Sequence, residues 1–330
     1  MMKKVKKGSA VIALLALVLS TVVIPKAYAA LAVDTSKNDC SVELNVANNV
    51  GTFTELDELP VTVNLYKVAD ISASGKYTGV GDFESLTFDE IDDKTTAEMW
   101  EEKANAAVAL VKEATATVLV QDGKGTATGL ETGMYLVVPE ETKSDDYAYT
   151  FKPYLVSLPS HYDDIWRYNL TGDYAVGLKP EATDLYGDLV ITKELTTYNA
   201  TVGGATFVFQ VEATKDYSAI GGEEKVVYSD VVMLEFDAAG QQSITIDNLP
   251  AGAEVTVTEV YSGGSYEATE GSEFTVTIIA DEVVSEETLV ATVTFTNEYN
   301  GNLNGGSGVI NHFEKEGNGW GWTKVPANNK

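Results

Sequence analysis

Three polar residues break the pattern of the strands that carry them. Leu189, Ile191 and Leu195 alternate onto one face, and Lys193 takes the remaining position on that face. Val255, Val257 and Tyr261 frame Glu259 in the same way, and Val293, Phe295 and Tyr299 frame Asn297. A period of two sends all three polar groups toward the core. An isolated lysine or glutamate there would cost several kcal/mol, so such groups are paired or neutral. Burial disfavours both charges, lowering the amine pKa and raising the carboxyl pKa. A neutral Lys193 amine can attack the side-chain carbonyl carbon of Asn297. Glu259 would polarise that carbonyl and carry protons while ammonia leaves. The patterning leaves two other arrangements open. One is a buried Lys193–Glu259 ion pair with Asn297 as a hydrogen-bonding partner; the other is three strand ends that reach solvent.

The elements that must position these groups read as strands. From Asp188 to Tyr299, seven short runs rich in Val, Ile, Thr and Phe are separated by turn signals such as Ala239-Gly240 and Pro250-Ala251-Gly252. That spacing predicts a β-sandwich. Ahead of it, Ser41–Asn48, Val61–Val68, Thr115–Val120, Tyr135–Val138 and Tyr149–Leu158 are predicted strands, and a last segment runs from Trp166 to Leu178. Thr95-Thr96-Ala97-Glu98 has the form of a capping box, and Trp100, Ala104, Ala107, Val108 and Val111 follow at helical spacing. Pro180 is expected to end a strand, and the acidic stretch Glu181–Gly187 to serve as a linker. The fold expected is all-β: two tandem immunoglobulin-like sandwiches, residues 30–180 with a helical insertion and residues 184–299. A Gly- and Asn-rich tail, 300–330, follows, with a hairpin expected where Trp320 and Trp322 lie beyond Asn318-Gly319.

The segments DLVITKEL, LPAGAEVTVTEVYSGGSY and TVTFTNEY resemble the first, the glutamate-bearing and the final strands of collagen-adhesin B-type (CnaB) domains. Those domains occur in Gram-positive surface proteins and sortase-assembled pilins. The resemblance runs from Asp184 to Tyr299, with the three polar residues in the family's order. It implies that Lys193 and Asn297 form an isopeptide bond and that Glu259 is the catalytic acid. VTVNLYKVADI, GLETGMYLVVPEE and YLVSLP resemble the N-terminal domain of the same pilins. Major pilins carry there a sortase acceptor lysine, in a motif resembling W-x-x-x-V-x-V-Y-P-K-N. In WRYNLTGDYAVGLKPE, Lys179 takes the matching place, though the spacing from Trp166 is longer and the proline follows the lysine. The other reading of Lys179 is an ordinary exposed linker residue. As an acceptor it is expected to be exposed at a strand end, with Glu181 and Asp184 keeping it protonated. Lys67 shares a face with Val61, Val63 and Leu65, but no asparagine in a last-strand setting follows, so no bond is expected there.

Lys3, Lys4, Lys6 and Lys7, the apolar run from Val11 to Ile24 and Ala27-Tyr28-Ala29 read as a secretory signal peptide over residues 1–29, with the mature chain beginning at Ala30. No later apolar stretch is long enough to span a bilayer. Cleavage removes five lysines and no acids, moving the net charge from −28 to −33. That charge argues against nucleic acid or anionic lipid as partners. Cys40 is the only cysteine, so no intramolecular disulfide forms; it is expected to be incidental, near a flexible terminus. Two histidines, one arginine and no nucleophile, zinc or phosphate-loop motif give no basis for an enzyme or a cofactor. The acidic run Asp89-Glu90-Ile91-Asp92-Asp93 lacks a calcium-loop spacing, and no metal site is expected.

The expectation is an exported structural or adhesive subunit at the cell surface or in the cell wall. The partners implied by the resemblance are sortase, other pilin subunits and a host surface ligand. The alternative is a secreted matrix- or glycan-binding module, with Trp320 and Trp322 as its contact. The sequence ends GWTKVPANNK, without an LPxTG-like motif followed by an apolar helix. That ending fits a terminal or accessory subunit, or a natural C-terminus beyond this sequence.

Overall fold

β-Branched and aromatic residues in alternation favour half-buried strands, and strands dominate the computed structural model. It describes residues 32–46, 52–89, 91, 95–162, 165–281 and 290–302, and the backbone of 311–316 and 319–324. The expected signal peptide and the mature start at Ala30 lie outside the described residues.

In the N-terminal half, Val61–Ile71 is the organising strand. Val61, Val63 and Leu65 are buried on one face, Tyr66 and Val68 on the other. It pairs antiparallel with Gly133–Pro139, Ala116–Val120 and Tyr77–Gly79, and Tyr154–Leu158 completes a five-stranded sheet. Its first face packs on a sheet built around Cys40–Asn45, which pairs antiparallel with Lys124–Leu130 and parallel with Asn169–Leu170 and Val176–Gly177. The helix Ala97–Val108 covers the second face. Thr96 caps it by accepting the Met99 N–H at 3.4 Å, and Ala104 and Ala107 bury against Met134, Leu136 and Leu155.

Several expectations need correction here. Tyr149–Leu158 is two strands in different sheets, Tyr147–Phe151 and Tyr154–Leu158, because Pro153 has no N–H to continue a ladder. Trp166–Leu178 breaks into three short strands around a 3₁₀ turn at Gly172–Tyr174. Pro180 begins a strand instead of ending one. Pro180–Asp184 pairs antiparallel with Tyr147–Phe151, so most of the expected linker is itself sheet. Cys40 is fully buried in its strand, not loose near a terminus.

The C-terminal half is two facing four-stranded sheets. One runs Gly240–Pro250, Tyr186–Leu195, Ala291–Tyr299, Tyr266–Ala268; the other Lys225–Phe236, Ala205–Lys215, Glu254–Tyr261, Glu273–Thr277. Phe207, Phe209, Val211, Val255, Val257, Ile191, Val293 and Phe295 fill the space between them. The first and last strands of this half, Tyr186–Leu195 and Ala291–Tyr299, are parallel neighbours. In the tail the backbone of Asn311–Glu316 pairs antiparallel with Gly319–Lys324, with Gly319 already in the second strand opposite Glu316.

Candidate functional site

Lys193 lies opposite Phe295 and Asn297 opposite Leu195 in the parallel pair, so lysine and asparagine are diagonal neighbours on the inner face. Glu259 comes from the facing sheet, paired with Phe209. One extra residue in the glutamate strand, Val260, bulges immediately after it; Tyr261 is therefore only half-buried, whereas alternation alone would bury it. Lys193 and Asn297 are 0% exposed and Glu259 is 8% exposed. The three groups close a triangle. Lys193 Nζ donates to Glu259 Oε2 at 3.1 Å and, in a very short contact, to Asn297 Oδ1. Asn297 Nδ2 donates to Glu259 Oε1 at 2.7 Å. The Phe207 ring centroid stands 4.5 Å from Nζ, and in the same core Phe295 makes tilted and edge-on ring contacts with Phe209 and Phe274.

Burial pulls the Lys193 amine below the usual lysine range, opposed by the Glu259 charge. Burial pushes the Glu259 carboxyl up, opposed by Lys193 and Asn297. Both directions favour the neutral pair. A neutral amine then lies against a carboxamide whose nitrogen is bonded to a protonated acid. That arrangement can exchange the Asn297 amide nitrogen for Nζ.

The remaining candidates lie apart. Lys179 is half-buried, not exposed, and its Nζ stands 5.1 Å from the Tyr154 ring. Burial pulls its amine below the usual range, against Glu101, which raises it, and with Lys152, which lowers it. The acids expected to hold its proton are engaged elsewhere: Glu181 pairs with Lys152 at 3.3 Å and Asp184 with Lys215 at 2.9 Å. Lys67 lies within Val61–Ile71 and makes ion pairs with Asp70 and Glu131, both at 2.8 Å. Trp320 and Trp322 lie in the tail hairpin, opposite Lys315 and Phe313. Of the acidic run, only Asp89 and Ile91 are among the described residues.

One buried cluster is absent from the sequence reading: Lys215, Asp184 and Tyr217. Its signal was present. Lys215 is in phase with Phe207, Phe209, Val211 and Ala213, the same violation that marks Lys193.

Residues 189–300 match the family model of a domain of unknown function, DUF5979. That span, about a third of the chain, contains all three members of the triangle. No curated protein matches the chain. Among solved structures, a streptococcal ancillary pilin is similar at 18% identity and a TM-score of 0.25, over 79% of this chain and 63% of that one. The chain thus spans less than two thirds of that protein. The minor pilin of Streptococcus agalactiae matches at 16% identity and a TM-score of 0.24, over 82% of this chain and 100% of that one. The major pilin SpaD of Corynebacterium diphtheriae matches at 11% and 0.24, over 82% and 99%. At such values any role for this chain rests on its own residues.

Proposed function

We propose that Lys193 and Asn297 join in an isopeptide bond, with Glu259 as the proton carrier, in a structural subunit of pilin type at the cell surface. The observation that carries this reading is the fully buried contact of the Lys193 amine with the Asn297 carboxamide, bridged by Glu259. In the reaction, the Nζ lone pair attacks Asn297 Cγ and the carbonyl π electrons move onto Oδ1, giving a zwitterionic tetrahedral centre whose carbonyl re-forms as the leaving group departs. The zwitterionic excess proton passes from Nζ through Glu259 to Nδ2, the Cγ–Nδ2 bond breaks, and ammonia leaves. The acid is regenerated, no oxidant is needed, and each molecule reacts once. Such a reaction is self-modification and not turnover of an external substrate.

Topology gives the bond its use. Tension enters this half along Tyr186–Leu195 and leaves along Ala291–Tyr299, which are parallel neighbours. A covalent link between Lys193 and Asn297 carries that tension directly and bypasses the residues between them. A chain without disulfides gains mechanical resistance in this way.

Incorporation into a polymer would run through Lys179. Its lowered pKa favours a nucleophilic amine, while its half-buried position over Tyr154 favours the second reading, a secreted ligand-binding module that is not incorporated. Two measurements decide. Intact-mass spectrometry of the chain should read about 17 Da below the calculated value, one ammonia lost on amide formation. An unshifted mass rejects the bond. Cell-wall extracts should contain high-mass species that survive boiling in detergent and vanish in Lys179→Ala. Their absence in the wild type, or their persistence in the variant, rejects Lys179 as acceptor.

A further inference from the structure

Tandem modules move relative to one another by default, through exposed linkers and small polar contacts. The connection between the two halves of this chain has neither property. Asp184 ends one strand, Leu185 is buried, and Tyr186 begins the next strand. Only Leu185 lies between the two strands, and it is buried.

Side chains from both halves meet at this point. Lys215, the last residue of the C-terminal strand Ala205–Lys215, donates from Nζ to Asp184 Oδ1 at 2.9 Å. The Tyr217 hydroxyl donates to Asp184 Oδ2 at 3.1 Å, so both carboxylate oxygens are satisfied. The lysine and aspartate side chains are 1% and 4% exposed. Nζ also lies 4.0 Å from the ring of Tyr147, which belongs to the N-terminal half. Tyr217 and Ile220 are buried inside the N-terminal core, among Tyr147, Tyr149 and Leu56. The C-terminal half therefore contributes a plug to its neighbour's core and an ammonium to its buried carboxylate.

A second contact sits beside the first. Leu185, Ala251 and Ala280 pack with Ala148. The Leu185 N–H donates to Asp146 O at 3.0 Å, and the Ala251 N–H donates to Leu185 O at 2.9 Å. Gly252, at φ +74°, lies so close that a Cβ on it would stand 2.1 Å from an Asp146 carboxylate oxygen. A side chain at this position would be strained by the positive φ and would force the Asp146 carboxylate to move.

We infer that this junction is a lock that makes the two halves one rigid body, with the Lys215–Asp184–Tyr217 cluster as its fastening. Opening it would pull the Tyr217 ring and the Ile220 side chain out of a packed core and separate the Lys215–Asp184 pair, so bending is opposed chiefly by the burial it would lose. The orientation of one half is thereby imposed on the other, which suits a chain that must hold its N-terminal half at a set angle. The lock does not depend on the isopeptide bond, which lies wholly within the C-terminal half.

The test is a distance measurement between the two far ends. Ser74→Cys and Thr201→Cys place thiols on exposed loops away from the junction, and buried Cys40 does not compete for label. Electron-electron double resonance on the chain lacking residues 1–29 should give one narrow distance distribution. Adding Lys215→Met should broaden it about twofold or more, the freedom expected of an unlocked tandem pair. A broad distribution with the junction intact overturns the lock. A Lys215→Met distribution as narrow as its parent overturns the role of the cluster. If Lys215→Met fails to fold by circular dichroism, the intact junction decides alone: narrow supports the lock and broad refutes it.

Discussion

Replacing Lys193 and Glu259 together separates a covalent site from a hydrogen-bonded one by the sign of the stability change. In the double variant Lys193→Met/Glu259→Gln the side chains keep their approximate volume, and no buried charge is left without a partner. If the site is only a buried ion pair, such a replacement is neutral or stabilising, by up to about 4 kcal/mol. If Lys193 and Asn297 are joined, the variant loses a crosslink between residues 104 apart. The crosslink acts mainly on the unfolded chain, whose freedom it restricts, and a loop of that length is worth about 4–5 kcal/mol. For a unit of this size, about 4 °C of melting temperature accompanies each kcal/mol, so the C-terminal transition should fall by roughly 15–20 °C. The assay is differential scanning calorimetry, with intact mass read on the same samples. Equal or higher melting of the double variant, together with an unshifted wild-type mass, would refute the covalent reasoning.

Burial also sets how stability depends on pH at the site and how Cys40 reacts. In Asn297→Ala, which cannot form the bond, Lys193 has a folded pKa below its ordinary 10.5, so stability should rise as pH rises from that lowered value toward 10.5. Glu259 has a folded pKa above its ordinary 4.5, so stability should fall as pH rises from 4.5 through the raised value. Thermal melts across pH check both arms; adding Lys193→Met should abolish the alkaline arm, and its survival would assign that arm elsewhere. Cys40 is fully buried with its thiol pKa raised by burial. A thiol reagent should therefore label it only after denaturation, and rapid labelling of the folded chain would contradict the position of its strand.

The strand alternation around Lys193, Glu259 and Asn297 was legible because side-chain direction in a strand is a local property with a period of two. The helix was legible for a similar reason, since capping and apolar spacing are encoded within a few residues. Lys215 is less legible by the same rule, because the polar Glu212 and Thr214 precede it and only the fold shows that the strand runs on to Lys215. Lys124–Leu130, KGTATGL, went unread because it carries few apolar residues and is held by its partner Cys40–Asn45.

Charge assignments near the junction were not legible. Glu181 and Asp184 follow Lys179 closely in sequence, yet each serves a different lysine, because strand pairing turns their side chains away toward Lys152 and Lys215. Sequence proximity measures contact poorly wherever the backbone is extended, since alternate residues face opposite sides.

By itself, the sequence determined that three polar groups alternate in phase with apolar residues on separate strands, that the chain is mostly β, and that it cannot close a disulfide on itself. Only the tertiary structure decided that two of those strands are parallel neighbours and that the third faces them from the opposite sheet, bringing together residues 66 and 104 positions apart. The same level decided that an apparent linker is a buried junction. Inward direction follows from the period of one strand; adjacency depends on how non-local strands pair, and that is settled only when the whole core packs.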